Sequence, residues 1–156
     1  MTTVFAGFDR INATIIQTDT LATSGLGNCI AVAGINANAN IPTRILAHYN
    51  TFWCFTPERS INVDELNEFK RWLSGKINAT KFEVRLGTTW SNAIMGITPE
   101  AMAIVLGSVF ETTVDPRSCQ RTCFYTPQGV VTSDDPPEEW DVKNRNGDEI
   151  PYKNYF

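Results

Sequence analysis

The sequence predicts an α/β chain of the α+β kind, a layered sandwich of mostly antiparallel sheet with helices packed on one side. Three observations predict it. Runs rich in β-branched and aromatic residues recur between turn residues. Two capped segments carry apolar residues at helical spacing. Strands and helices also fall in groups along the chain, which favours antiparallel sheet over alternating strand–helix units. At 156 residues, 42% hydrophobic and 19% charged, the chain can bury a substantial core without disulfide staples.

Taken in order, Val4–Phe8, Asn12–Gln17, Cys29–Ala33 and Arg44–Asn50 read as strands. The run Gly34 to Asn40 is turn material, so the last two form a hairpin. Pairing brings the start of one, with Cys29, beside the end of the other, with His48. Asn62 followed by Glu65 caps a helix whose Val63, Leu66, Phe69 and Leu73 form a core stripe, with Gly75 as its stop. Lys81–Leu86 is a strand with alternating Phe82, Val84 and Leu86. Thr98-Pro99-Glu100 opens a second helix that packs Met102, Ile104, Val105, Val109 and Phe110. Residues 1–133 form the domain. Residues 134–156 are an acidic, then aromatic extension whose Trp140, Tyr152, Tyr155 and Phe156 pack back onto it.

The chemistry-bearing feature is Cys29 at the end of the turn Ala22-Thr23-Ser24-Gly25-Leu26-Gly27-Asn28, with the sole histidine, His48, nineteen residues later. A thiol attacks as its thiolate, and a neighbouring imidazole is the usual device for making one. Gly25 and Gly27 let the backbone turn sharply and aim N–H groups at a reacting atom, as an oxyanion hole requires. Taken singly, a cysteine and a histidine are more often structural residues. The loop chemistry around Cys29 tips the reading towards catalysis.

The stretch Thr23-x-Gly25-Leu26-Gly27-x-Cys29, the strand Ile30-Ala31-Val32-Ala33 and then Leu46-Ala47-His48 resemble the CheD family of protein-glutamine deamidases. The likeness continues through a helix, a strand, a second helix and a closing hairpin, Arg121–Tyr125 with Gly129–Thr132. It covers about residues 11 to 133, and only the first motif is specific. The resemblance implies Cys29 as nucleophile, His48 as base and Thr23 as the group that orients the imidazole. Backbone N–H groups of Gly25 and Gly27, with Asn28, would hold the oxyanion, and no cofactor or metal is implied. Cytotoxic necrotizing factor-type toxins share this catalytic arrangement and deamidate a glutamine of a host protein.

Three departures from the family pattern alter the rim of that set. Asn28 stands where the family carries serine, Tyr49-Asn50-Thr51 follow the histidine, and Leu86-Gly87-Thr88-Thr89-Trp90 replaces a Gly-Gly. They turn the expected substrate from a chemotaxis receptor towards another glutamine-bearing protein, as for a toxin-like virulence effector. Within enzymes the alternatives are a transglutaminase or a protease, which share the thioester. Outside them stands a binding module that recruits a partner around Trp53, Trp90 and Trp140.

Composition excludes other classes. A net charge of -4 with scattered Lys and Arg argues against nucleic acid. No run of about eighteen apolar residues exists to span a membrane. The start Met1-Thr2-Thr3-Val4 lacks a classical secretory signal, so a cytoplasmic protein, or an effector exported without one, is expected. Cys119 and Cys123 lie four apart with no further ligands nearby, which argues against zinc. The acidic segment lacks the ligand order of a calcium loop.

Overall fold

The computed structural model describes residues 3–135 and 150–153. Five strands make one sheet in the order β6 (Lys81–Leu86), β4 (Ile30–Asn36), β5 (Thr43–Tyr49), β2 (Arg10–Thr14) and β9 (Ile150–Pro151). Four make the other: β1 (Thr3–Phe5), β3 (Thr20–Thr23), β7 (Thr122–Thr126) and β8 (Gly129–Ser133). Only β1 with β3 is parallel among these pairs. Among the described residues two α-helices, α1 (Val63–Ile77) and α2 (Pro99–Phe110), accompany the sheets.

Because side chains alternate along a strand, β4 and β5 serve two cores at once, while β6 gives its apolar residues to one of them. Ile30, Val32, Ile45, Ala47, Tyr49, Val84 and Leu86 pack with Leu66, Phe69, Leu73, Met102, Leu106 and Phe110 of the helices. The intervening Cys29, Ala31, Ala33 and Leu46 pack with Val4, Leu21, Cys123 and Tyr125 of the smaller sheet. The layers therefore run sheet, sheet, helices. Both helices lie on one side of the larger sheet, as the sequence predicts.

Several bounds differ from expectation, each for a local reason. The first strand stops at Phe5, because Gly7 to Asp9 form a turn in which Asp9 adopts φ 56 and Arg10 N donates to Gly7 O. The second stops at Thr14, whose Oγ1 donates to Asp19 Oδ2 at 2.8 Å and accepts from Ile16 N. Gly75 does not end α1. The helix continues to Ile77, which is buried, and Asn78 closes it at φ 53 with its N–H donating to Ser74 O. Asn62 and Thr98 cap α1 and α2 as expected, but Ile104 faces solvent, 73% exposed.

β3 is a strand that the sequence conceals. Its four residues are too short to show alternation, and the strand is held between β1 on one side and β7 on the other. Within the extension, Arg10 pairs with Pro151 and Ile11 with Ile150. Tyr152 then packs against Tyr49, Phe69 and Trp72, and its hydroxyl donates to Glu65 Oε1 at 2.8 Å. Lys153 Nζ meets the same carboxylate at 2.6 Å. Trp140, Tyr155 and Phe156 lie outside the described residues.

Candidate active site

β3, β4 and β5 carry the three expected residues to one place. Thr23 ends β3, and Cys29 immediately precedes β4. In the β4–β5 ladder Ala31 stands opposite His48, and Cys29 shares the face of Ala31 because it lies two residues away. Cys29 and His48 are thus diagonal neighbours on the face turned to the smaller sheet, a relation that separates backbones by about 7 Å. Thr23 reaches across from that sheet. A buried hydrogen bond of 2.7 Å joins its Oγ1 to His48 Nδ1.

The site is closed at rest: Thr23, Cys29 and His48 are each at most 2% exposed. Phe8 lies edge-on to the His48 ring, with centroids 5.4 Å apart, and is itself 55% exposed. Nε2 of His48 is buried without a hydrogen-bond partner, and Cys29 Sγ makes no hydrogen bond among the described residues. Buried polar atoms are rarely left so, and an unpartnered ring nitrogen is what a base needs. No thiol–imidazole hydrogen bond forms among the described residues in this resting geometry.

Electrostatics do not favour a standing thiolate in the resting site. Burial, with the charge of Asp9 adding to it, pushes the Cys29 thiol up to about 12. Burial holds the His48 imidazole down to about 4. The resting pair is a neutral thiol and a neutral imidazole. Cys54 and Cys123 are raised to about 12 by burial as well, so the resting charge state does not single out Cys29.

The loop before Cys29 is held from behind. Gly87 N donates to Cys29 O at 2.9 Å, Thr88 N to Leu26 O at 2.9 Å and Thr89 N to Gly27 O at 3.1 Å. Only glycine fits at 87: a Cβ there would stand 2.7 Å from the Cys29 and Leu26 carbonyl oxygens and closer still to that of Gly27. A planar trans peptide points its N–H opposite to its C=O. With the carbonyls drawn to residues 87–89, the N–H groups of Gly27 and Asn28 face away from that strap. Together with the N–H of Cys29 they donate to nothing among the described residues. Gly25, at φ 74 and exposed, makes the turn into this loop.

Asn28 differs from its expected part. Its side-chain amide donates to Asn50 Oδ1 at 3.0 Å and Thr51 Oγ1 at 3.5 Å, so the side chain fastens the loop to the end of β5, and only the backbone N–H is free. Sequence reasoning missed Phe8 and Asp9, and it placed Gly87 on the rim without seeing that it straps the loop from behind. Asp9 is buried and its Oδ2 accepts from Trp53 Nε1 at 2.7 Å. A Gly-Phe-Asp turn after a short apolar strand, with a large apolar residue at its tip, was the available signal for the first two. The cavity of about 590 Å³ between β6 and the helix ends is lined by Lys70, Phe82, Glu111 and Tyr125 among others, and by none of the three site residues. The described residues hold no cluster of three or more His, Cys, Asp or Glu arranged to ligate a metal. No protein-family model matches the sequence, and no curated protein does.

Proposed function

We propose that the protein is a protein-glutamine deamidase that works through Cys29 and His48. One observation carries the reading. The 2.7 Å bond between Thr23 Oγ1 and His48 Nδ1 leaves Nε2 unpartnered on the face that bears Cys29. With Nδ1 donating its proton to Thr23 Oγ1, Nε2 is the basic nitrogen.

A substrate glutamine enters by displacing Phe8 from over the imidazole. His48 takes the Cys29 proton, and the thiolate attacks the carboxamide carbon. The carboxamide oxygen becomes an oxyanion beside the free N–H groups of residues 27–29. The imidazolium then protonates the nitrogen, the C–N bond breaks and ammonia leaves a thioester. Water, deprotonated by His48, hydrolyses it to glutamate and restores the thiol. Because thiol and imidazole are both neutral at rest, proton transfer is coupled to attack and no standing thiolate is needed.

The substrate is a glutamine on a protein surface, either a chemotaxis receptor or, for an effector, a host protein. No described helix is long and apolar enough to cross a membrane. The test is mass spectrometry of candidate protein substrates after incubation with the enzyme. Glutamine converted to glutamate with an intact backbone supports the reading. Cleaved peptides would make it a protease, amine adducts a transglutaminase, and an inert Cys29 with no product a binding module.

A further inference from the structure

The peptide unit between Asn28 and Cys29 is held more firmly than its neighbours, and by side chains. The indole Nε1 of Trp90 donates to Asn28 O at 2.6 Å, and the hydroxyl of Thr51 donates to the same oxygen at 2.7 Å. The two come from opposite flanks: Trp90 from the 3-10 turn Thr88–Ser91 after β6, Thr51 from the 3-10 turn Thr51–Cys54 after β5. Trp90 and Thr51 are fully buried, so each bond forms where water cannot replace it. With both lone pairs of the carbonyl engaged, the peptide cannot rotate without losing two hydrogen bonds at once.

We infer that Trp90 and Thr51 are positioning residues for the oxyanion hole, acting through the Asn28–Cys29 peptide. By pinning the carbonyl behind the loop they fix the Cys29 N–H on the opposite edge, where it meets an oxyanion formed at the thiol's target carbon. A peptide free to flip would present a carbonyl oxygen to that anion in place of a donor. The inference rests on the thiol acyl-transfer chemistry proposed above, but not on glutamine being the substrate.

That allows a test with two substrates and one control. The variants are Thr51→Val, which keeps shape and removes the hydroxyl, Thr51→Ser, which restores it, and Trp90→Phe, which keeps a ring and removes the N–H. Each is assayed for conversion of a protein glutamine, for acylation of Cys29 by p-nitrophenyl acetate, and for alkylation of Cys29 by iodoacetamide. Alkylation needs the thiolate but forms no oxyanion. Thr51→Val and Trp90→Phe are expected to slow kcat and acylation by on the order of tenfold or more each. KM and the alkylation rate should stay within about twofold of wild type, and Thr51→Ser should recover most of the loss.

Acylation unchanged in both variants overturns the inference. So does a parallel fall in acylation and alkylation, which would place the effect on the nucleophile. Acylation that follows the expected pattern while wild type converts no glutamine overturns the deamidase reading and keeps the inference. Should Trp90→Phe unfold, Thr51→Val and Thr51→Ser decide the matter alone.

Discussion

The two faces of the larger sheet use the same strands for opposite ends. On the helix face Ile30, Val32, Ile45, Ala47 and Tyr49 meet Leu66, Phe69 and Phe110 in an apolar core, with Tyr49 and Phe69 rings 4.3 Å apart. One residue along each strand, the other face carries Cys29, Ala31, Ala33, Arg44 and His48 against the smaller sheet. Alanines at 31 and 33 let that sheet come close. Its groups then satisfy the polar residues: Thr23 Oγ1 takes the imidazole, and Tyr125 O accepts from Arg44 Nη1 at 2.8 Å while the Tyr125 ring lies under the guanidinium. A satisfied buried hydrogen bond nets only about 1 kcal/mol, whereas burying a large apolar side chain is worth roughly 1.5–3 kcal/mol. The difference teaches that the large apolar side chains are concentrated on the helix face and the buried polar groups, the candidate site among them, on the sandwich face.

The largest effects should separate the faces by activity. Cys29→Ser and His48→Ala should each lower glutamine conversion by several orders of magnitude, with the double variant no worse than either single one. Their unfolding free energies in urea should fall by no more than about 2 kcal/mol. Activity persisting in Cys29→Ser would place the chemistry elsewhere.

The helix face should respond in the opposite sense. Phe69→Ala removes a side chain in contact with Tyr49, Trp72, Phe110 and Tyr152, and should cost about 3–5 kcal/mol of stability. At temperatures where this variant stays folded, iodoacetamide should label Cys29 at the wild-type rate. A large loss of labelling in the folded variant would show that the two faces are not separable.

One stability effect should originate on the sandwich face. The folded His48 pKa, near 4, lies below the ordinary 6.5, so between those values the unfolded chain binds a proton that the folded chain does not. Its contribution is therefore fully present above pH 6.5 and lost as pH falls to about 4, a change of about 3 kcal/mol. Urea midpoints measured across that window should fall with pH, and the slope should be shallower in His48→Ala. Equal slopes would mean that the imidazole is not buried neutral.

Smaller changes are expected from the groups that touch the imidazole. Thr23→Ala should slow conversion by about tenfold to a hundredfold, because the base is misplaced but present, and Thr23→Ser should restore most of it. Phe8→Ala should admit water to His48 and move the acidic limb of the rate profile up from about 4 towards 6.5, with little change in rate at neutral pH. An unmoved limb would mean that the Phe8 ring does not keep the imidazole dry.

Local sequence determined what depends on neighbours along the chain. The caps Asn62 and Thr98, the β4–β5 hairpin around its turn, the stripe Leu66-Phe69-Leu73 and the Gly-rich loop before Cys29 were all legible, because period, cap and turn chemistry act over a few residues. The tertiary structure alone decided the rest. β3 is a strand only because β1 and β7 flank it, and α1 overrides Gly75 because Ile77 has a core to enter. Thr23 comes within 2.7 Å of the imidazole through the stacking of two sheets, and Gly87, Trp90 and Thr51 reach the loop from far along the chain. The charge state of the site is the clearest case. Cysteine beside histidine suggests an ion pair when read from residue types, but burial disfavours both charged forms, and burial is a property of the folded chain rather than of any segment in it.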